Sequence, residues 1–464
     1  MHFSRFDRLV GGVLVLALAA IGLTVFAGDR VGVQPQRVAP LGEGHTTDNI
    51  VIEFADVMQR ETVQERLSIS PEVDGEARWS GNTFIFEPSQ PLQPGETYLV
   101  ELAAGAQGQS GREVLNTYQF SFEVAAPRVA YLAPADSAPQ NVWVASPGEP
   151  DSASQVTFST AGIFDFSASP DGRQLAFSER RTDTPGTDLK VLNLATNTVQ
   201  ILVACPDSDC SAPVWRPDGN VIAYTRVDFN SDLPQVGTSS ARVWLVDLTS
   251  DPATTQPLFE DSQILGYGVQ WSADGQTISL FDNSVPGIVV YDFQSEALEV
   301  VGSEHGTSGT LAPDGETLVF PEVVFREGQV RTRLLKALME PGFVQTLTQE
   351  DALIDDDVAV WHPDGERLAI GRRYWDERYT RGLQIYQMDA ETGDVEPLVV
   401  DERYAHGFFT WDANGERLVM QRFPQLTQSG EVNSGGKPEI WVYDVTQDEL
   451  MQVATNGFSP KWVP

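Results

Sequence analysis

From about residue 50 onward the chain is built of short runs in which every second position is apolar. Ile50-Val51-Ile52-Glu53-Phe54, Thr83-Phe84-Ile85-Phe86, Thr97-Tyr98-Leu99-Val100-Glu101-Leu102 and Tyr118-Gln119-Phe120-Ser121-Phe122 all have this period. It is the period of a strand with one buried face. Turn residues break the runs, and about seven short strands over residues 38–126 predict a β-sandwich.

Beyond Ala126 the pattern becomes a repeat. An apolar strand, a tight turn and a second apolar strand recur, with turns at Asp171-Gly172, Asp218-Gly219, Asp274-Gly275, Asp314-Gly315, Asp364-Gly365 and Asn414-Gly415. The turns are 47, 56, 40, 50 and 50 residues apart. Asp-Gly between strands is a strong hairpin signal, because glycine accepts positive φ without a Cβ clash. A third strand follows each hairpin, as in Arg242-Val243-Trp244-Leu245-Val246, and then a fourth, as in Gln200-Ile201-Leu202-Val203. Four strands per forty to fifty residues make a propeller blade. Residues 127–464 are therefore expected to form a β-propeller, and the fold class is all-β. Three strand-like runs near Val129, Asn141 and Gln155 lack a first strand, and Phe458 to Val463 looks like a first strand without a blade. Joining them closes a ring of seven blades and hides two sheet edges. Six blades with these ends packed outside is the alternative.

Two resemblances carry these expectations further. Ile52-x-Phe54-x-x-x-Met58, Trp79-x-x-Asn82-x-Phe84-x-Phe86-x-Pro88, Leu92-x-Pro94-Gly95-x-x-Tyr98 and Tyr118-x-Phe120-x-Phe122 resemble the bacterial Ig-like domain found beside S-layer and other surface proteins. Such modules act as spacers or adhesion units. Ser169-Pro170-Asp171-Gly172-x-x-Leu175-Ala176-Phe177, Trp215-Arg216-Pro217-Asp218-Gly219-x-x-Ile222-Ala223-Tyr224 and Trp361-His362-Pro363-Asp364-Gly365-x-x-Leu368-Ala369-Ile370 resemble TolB-like, WD-repeat-like propellers of bacterial envelopes. That resemblance implies a protein-binding scaffold, by analogy of fold alone.

The amino terminus bears on compartment. After a stub of residues 1–8, Leu9 to Ala27 carries no charge, with Arg5 and Arg8 before it and Asp29 and Arg30 after it. As a helix it would reach roughly 28 Å, enough for a bilayer core. A retained single-pass anchor with everything beyond it exported is expected, and cleavage after Ala27 to a secreted form is the alternative. Residues 28–37 then read as a linker. Cys205 and Cys210 are the only cysteines, and in an oxidising compartment so close a pair is expected to form a disulfide.

Charge and motifs restrict function. Thirty Lys plus Arg against 66 Asp plus Glu give a net charge of −36, which disfavours nucleic acid. His2, His45, His305, His362 and His406 show no metal-ligand spacing. No nucleophile elbow or phosphate loop appears. The repeated turn aspartates read as Asx caps, spread one per blade and unable to converge on one substrate atom. No catalytic, metal or cofactor residues are assigned, and the chain is expected not to be an enzyme.

The segment Arg372-Arg373-Tyr374-Trp375-Asp376-Glu377-Arg378-Tyr379-Thr380-Arg381 interleaves aromatic side chains with four arginines. It reads as a loop between second and third strands, on the face shared with acidic interblade links such as Asp355-Asp356-Asp357 and Asp401-Glu402. Arg372, Arg373, Tyr374, Trp375, Arg378, Tyr379 and Arg381 are the expected partner-binding residues, because Trp, Tyr and Arg anchor interfaces. The packing alternative lays Tyr374 and Trp375 down on the next blade. The expected function is a non-enzymatic envelope scaffold that presents a propeller face to a protein, peptide or glycan. A propeller enzyme or Ca²⁺-binding sensor using the channel mouth, and a purely structural surface module, are the alternatives.

Overall fold

The computed structural model describes residues 32–464 apart from 230–236, 261–262, 327, 340–341, 350–352 and 428. The expected anchor at 9–27 lies outside the described residues, and among those no helix is long and apolar enough to cross a membrane. The chain divides into two compact units, one ending at Ala125 and the other running from Ala126 to Pro464, with residues 45–47 grouped with the second.

The first unit is a sandwich of two four-stranded sheets. Its strands are β1 (Pro35–Ala39), β2 (Gly42–Gly44), β3 (Ile50–Phe54), β4 (Leu67–Ser70), β5 (Gly75–Ser80), β6 (Thr83–Pro88), β7 (Thr97–Leu102) and β8 (Tyr118–Val124). One sheet has the order β1-β3-β6-β5 and the other β2-β8-β7-β4. The alternation read from the sequence points Ile50, Ile52, Phe54, Phe84, Val100, Leu102, Phe120 and Phe122 into one core. The linker expected to end at Arg37 ends earlier: β1 starts at Pro35, pairing Val38 with Ile52 of β3.

The second unit consists of four-stranded antiparallel groups, two of them merged through one parallel contact between Thr187 and Asp209. Their first strands are Ile163–Ala168, Ser208–Trp215, Tyr267–Trp271, Thr310–Leu311, Ile354–Trp361, Tyr404–Trp411 and Phe458–Val463. The last of these pairs with Arg128–Ala133, placing Trp462 opposite Val129. Each Asp-Gly turn is built as its chemistry requires. Gly219 has φ +73°, and the Asp218 carboxylate accepts the Asn220 N–H at 3.0 Å. The same cap recurs from Asp274 to Gln276 and from Asp364 to Glu366, each at 2.9 Å.

Neighbouring groups are tied by tryptophan. The indole N–H of Trp215 donates to the Ser167 carbonyl at 3.3 Å and that of Trp361 to Thr310 at 3.1 Å, each reaching the first strand of the preceding group. Cys205 and Cys210 are bonded to each other and fully buried.

Asp355, Asp356 and Asp357 do not form an interblade link. They open the first strand Ile354–Trp361, and Asp356 is completely buried, because Arg372 reaches it from the second strand.

Candidate binding face

Strand pairing decides which segments share an edge. In the group built on Ile354–Trp361, Ile354 pairs with Tyr374, so the beginning of the first strand lies beside the end of the second. Interblade links and second-to-third-strand loops therefore meet at one edge, and the Asp-Gly turns lie at the other. We call the former the link face.

Here Arg372–Tyr374 completes the second strand, Arg367–Tyr374, instead of opening a loop. The Arg372 guanidinium makes two hydrogen bonds to Asp356, at 2.6 and 2.8 Å, and Asp356 also accepts the Thr348 hydroxyl at 2.6 Å. Burial works against the charge on Arg372, but the Asp356 carboxylate outweighs it and holds the guanidinium protonated above its ordinary range. Tyr374 is buried as well, edge-on to Tyr386 at 5.7 Å and beneath the Arg378 guanidinium at 3.6 Å. Arg372 and Tyr374, expected on a binding loop, thus lie buried at the end of a strand. Desolvation and mutual pairing make them internal supports.

Trp375 turns outward yet is held. Its indole N–H donates to Asp355 at 2.7 Å, and the same carboxylate oxygen accepts Arg373 at 2.9 Å. The guanidinium groups of Arg373 and Arg331 each lie 4.5 Å from the Trp375 ring centre, and Tyr379 lies 5.5 Å away. Trp375 remains 37% exposed and Tyr379 50%. Arg378 pairs with Asp376, whose carboxyl is held down at about 2 by those hydrogen bonds. Arg381 is exposed. A cavity of about 500 Å³ opens between Leu353, Arg372, Tyr374, Asp376, Arg378 and Asp394.

Sequence reasoning missed other exposed apolar residues of this unit. Phe158 in a link and Phe164 and Phe408 in first strands are 78%, 52% and 62% exposed. Arg180 sits 5.5 Å from the Phe164 ring. Phe408 holds φ +48°, a conformation bulky residues rarely take. Phe325 and Val330, cross-strand partners at the tip of the hairpin Thr317–Arg326 and Gln329–Leu338, are also exposed. The remaining large exposed apolar residues of this unit fall on the link face, as Leu353, Val400 and Val432 do, or on fourth strands, as Ile201, Val300 and Phe343 do. Among the described residues none falls in the turns of the opposite edge. Phe164 and Phe166 stand two residues apart, which in the sequence reads as one buried face.

Inside the unit, a cavity of about 380 Å³ is lined by first strands of four successive groups, with Gln270, Thr310, Asp357 and Thr410 among its walls. His305 approaches Asp357 at 3.3 Å. Burial raises the Asp165 carboxyl and lowers the Lys461 ammonium, and Lys461 lies 5.5 Å from the Phe166 ring. Among the described residues no three His, Cys, Asp or Glu side chains group as metal ligands.

A sandwich of two four-stranded sheets with this aromatic core is the geometry of a known module. Residues 36–124 are a bacterial Ig-like domain. The chain is similar to solved propeller proteins. TolB of Acinetobacter baumannii shares 14% identity over 86% of this chain and 83% of its own, with a TM-score of 0.41. An oligogalacturonate lyase of Vibrio parahaemolyticus shares 15% over 71% and 87%, at 0.47. The β-propeller domain of the trilobed protease of Pyrococcus furiosus shares 14% over 64% and 85%, at 0.46. Compared with curated proteins, the sequence matches none. The Ig-like domain precedes the propeller unit in the chain.

Proposed function

We propose that this chain is a non-enzymatic cell-envelope protein whose propeller displays its link face to a protein, peptide or glycan partner. The observation that carries the reading is the distribution of exposed aromatic side chains. Phe158, Phe325, Trp375 and Tyr379 stand in links and second-to-third-strand connections of the link face, Phe164 and Phe408 stand on first strands, and the opposite turns have no large apolar residue exposed among the described residues. Exposed aromatic side chains beside arginines are what an interface core is made of. The ring is read as seven blades closed by Phe458–Val463, supported by its pairing with Arg128–Ala133. Export, with tethering through residues 9–27, is read from their apolar run and from the company Ig-like modules keep. The test places a photo-crosslinking residue at Tyr379 or Phe325, and in control proteins at Asn220 or Thr196. In the native envelope, adducts formed only from the first pair support the reading, and adducts formed equally from all four positions refute it.

A further inference from the structure

The Ig-like domain holds a cleft of its own. It has a volume of about 670 Å³ and is walled by Leu67 and Ile69 of β4, Ala77 of β5, Phe84 and Phe86 of β6, and Val73 of the connection. We propose that this cleft docks an extended protein segment of alternating apolar and cationic residues, which adds as a strand to the free edge of β5.

Sheet order makes the edge available. β5 pairs only with β6, and β4 pairs only with β7, so each ends its sheet. The cleft opens between these two ends. Along β5 every second backbone N–H and C=O therefore points away from its sheet without a strand partner, which is the template for strand addition. Core side chains stand at the opening: Leu67, Ile69, Val73, Ala77 and Phe86 pack against the sandwich core yet stay only half-buried. A strand laid on β5 would turn alternate side chains onto them, because side chains change face at each residue.

The rim selects the charge. Glu72, Asp74 and Glu76 are exposed and recur at every second residue, and among the described residues none makes an ion pair. The nearby cations are engaged, Arg78 with Glu87 and Arg66 with Glu65. Lysine or arginine on the outward side of an incoming strand meets these carboxylates. A second copy of this chain is disfavoured as occupant, since edge-to-edge pairing would bring the same three carboxylates together. A small apolar ligand would leave the backbone edge unpaired.

The experiment uses the intact protein and a synthetic peptide of alternating valine and lysine as probe, read by amide hydrogen exchange. The peptide should slow exchange across Gly75–Ser80 by at least about tenfold, with an effect that weakens as salt is raised. The neutral triple variant E72Q/D74N/E76Q, which keeps the edge and the cleft, should lose most of that protection. A valine–glutamate peptide should give none. Unchanged exchange in β5 with the lysine peptide overturns the proposal, as does equal protection by the glutamate peptide or an undiminished effect in the triple variant. Protection that appears without peptide and grows with protein concentration would assign the edge to self-association and overturn it too.

Discussion

The indole N–H of Trp462 donates to the backbone carbonyl of Thr410 at 3.0 Å, joining the final strand of the chain to the first strand of the group before it. Trp462 is buried, and its ring belongs to a core shared with Val129, Ile440 and Val442. The contact repeats what Trp215 and Trp361 do elsewhere, so the carboxyl-terminal segment occupies a regular place in the repeat. Trp462→Ala should cost about 3–5 kcal/mol, and Trp462→Phe far less, because the phenyl ring retains most of the buried area. Urea denaturation of the two variants checks this, and an unchanged midpoint for Trp462→Ala would refute the closure.

The buried pair of Arg372 and Asp356 makes a second, separable prediction. Removing only one partner strands a charge, so Asp356→Ala should destabilise by about 3–5 kcal/mol. The double replacement Arg372→Met with Asp356→Leu should recover much of that loss, since a well-packed apolar pair replaces a desolvated one. A double-mutant cycle in urea reads the coupling. Additive effects would show that the two side chains do not act as a pair.

Acid stability should depend on His406. Burial, and then the nearby Arg422 guanidinium, lower its imidazole to about 4 from an ordinary value of 6.5. The folded protein thus resists protonation that the unfolded chain accepts. The sign follows: stability is fully present above pH 6.5 and falls as the pH drops from 6.5 towards 4. The loss is of order 3 kcal/mol. His406→Gln should flatten the profile in this window only. Asp401, held at about 2 chiefly by Arg403, titrates below it. Thermal melts at stepped pH distinguish the two, and an identical pH profile for His406→Gln would contradict the assignment.

Trp375→Ala combined with Tyr379→Ala should weaken partner capture by at least about 2 kcal/mol while leaving the melting midpoint nearly unchanged. Both rings are substantially exposed, and the buried support is supplied by Arg372 and Tyr374. Unfolding of the double variant would instead make Trp375 a packing residue. Retained capture with an intact fold would move the binding site elsewhere.

The bridge between Cys205 and Cys210 closes a short loop, so reduction or a Cys205→Ser/Cys210→Ser variant should lower stability by roughly 2–3 kcal/mol. Mass spectrometry of exported protein should find the pair lighter than the dithiol by two hydrogens. Free thiols on both would refute it.

Local chemistry alone determined the strands, the hairpins and the repeat of this protein. Alternation at Ile50, Ile52 and Phe54 suffices for a strand with one buried side, and Asp218-Gly219 suffices for its turn, because both depend only on neighbours in the chain. The site was legible only as a composition of arginine and aromatic residues between 372 and 381. Which of them face a partner is a matter of what approaches from other strands. Arg372 is internal because Asp356, sixteen residues earlier, lies opposite it, and Trp375 is pinned because Asp355 and Arg331 converge on it. Phe164 and Phe408 have the same apolar character as Phe166 and Phe409 on the same first strands, yet only the latter two are covered by packed neighbours. Periodicity records which residues are apolar, whereas burial depends on the neighbours that tertiary packing supplies.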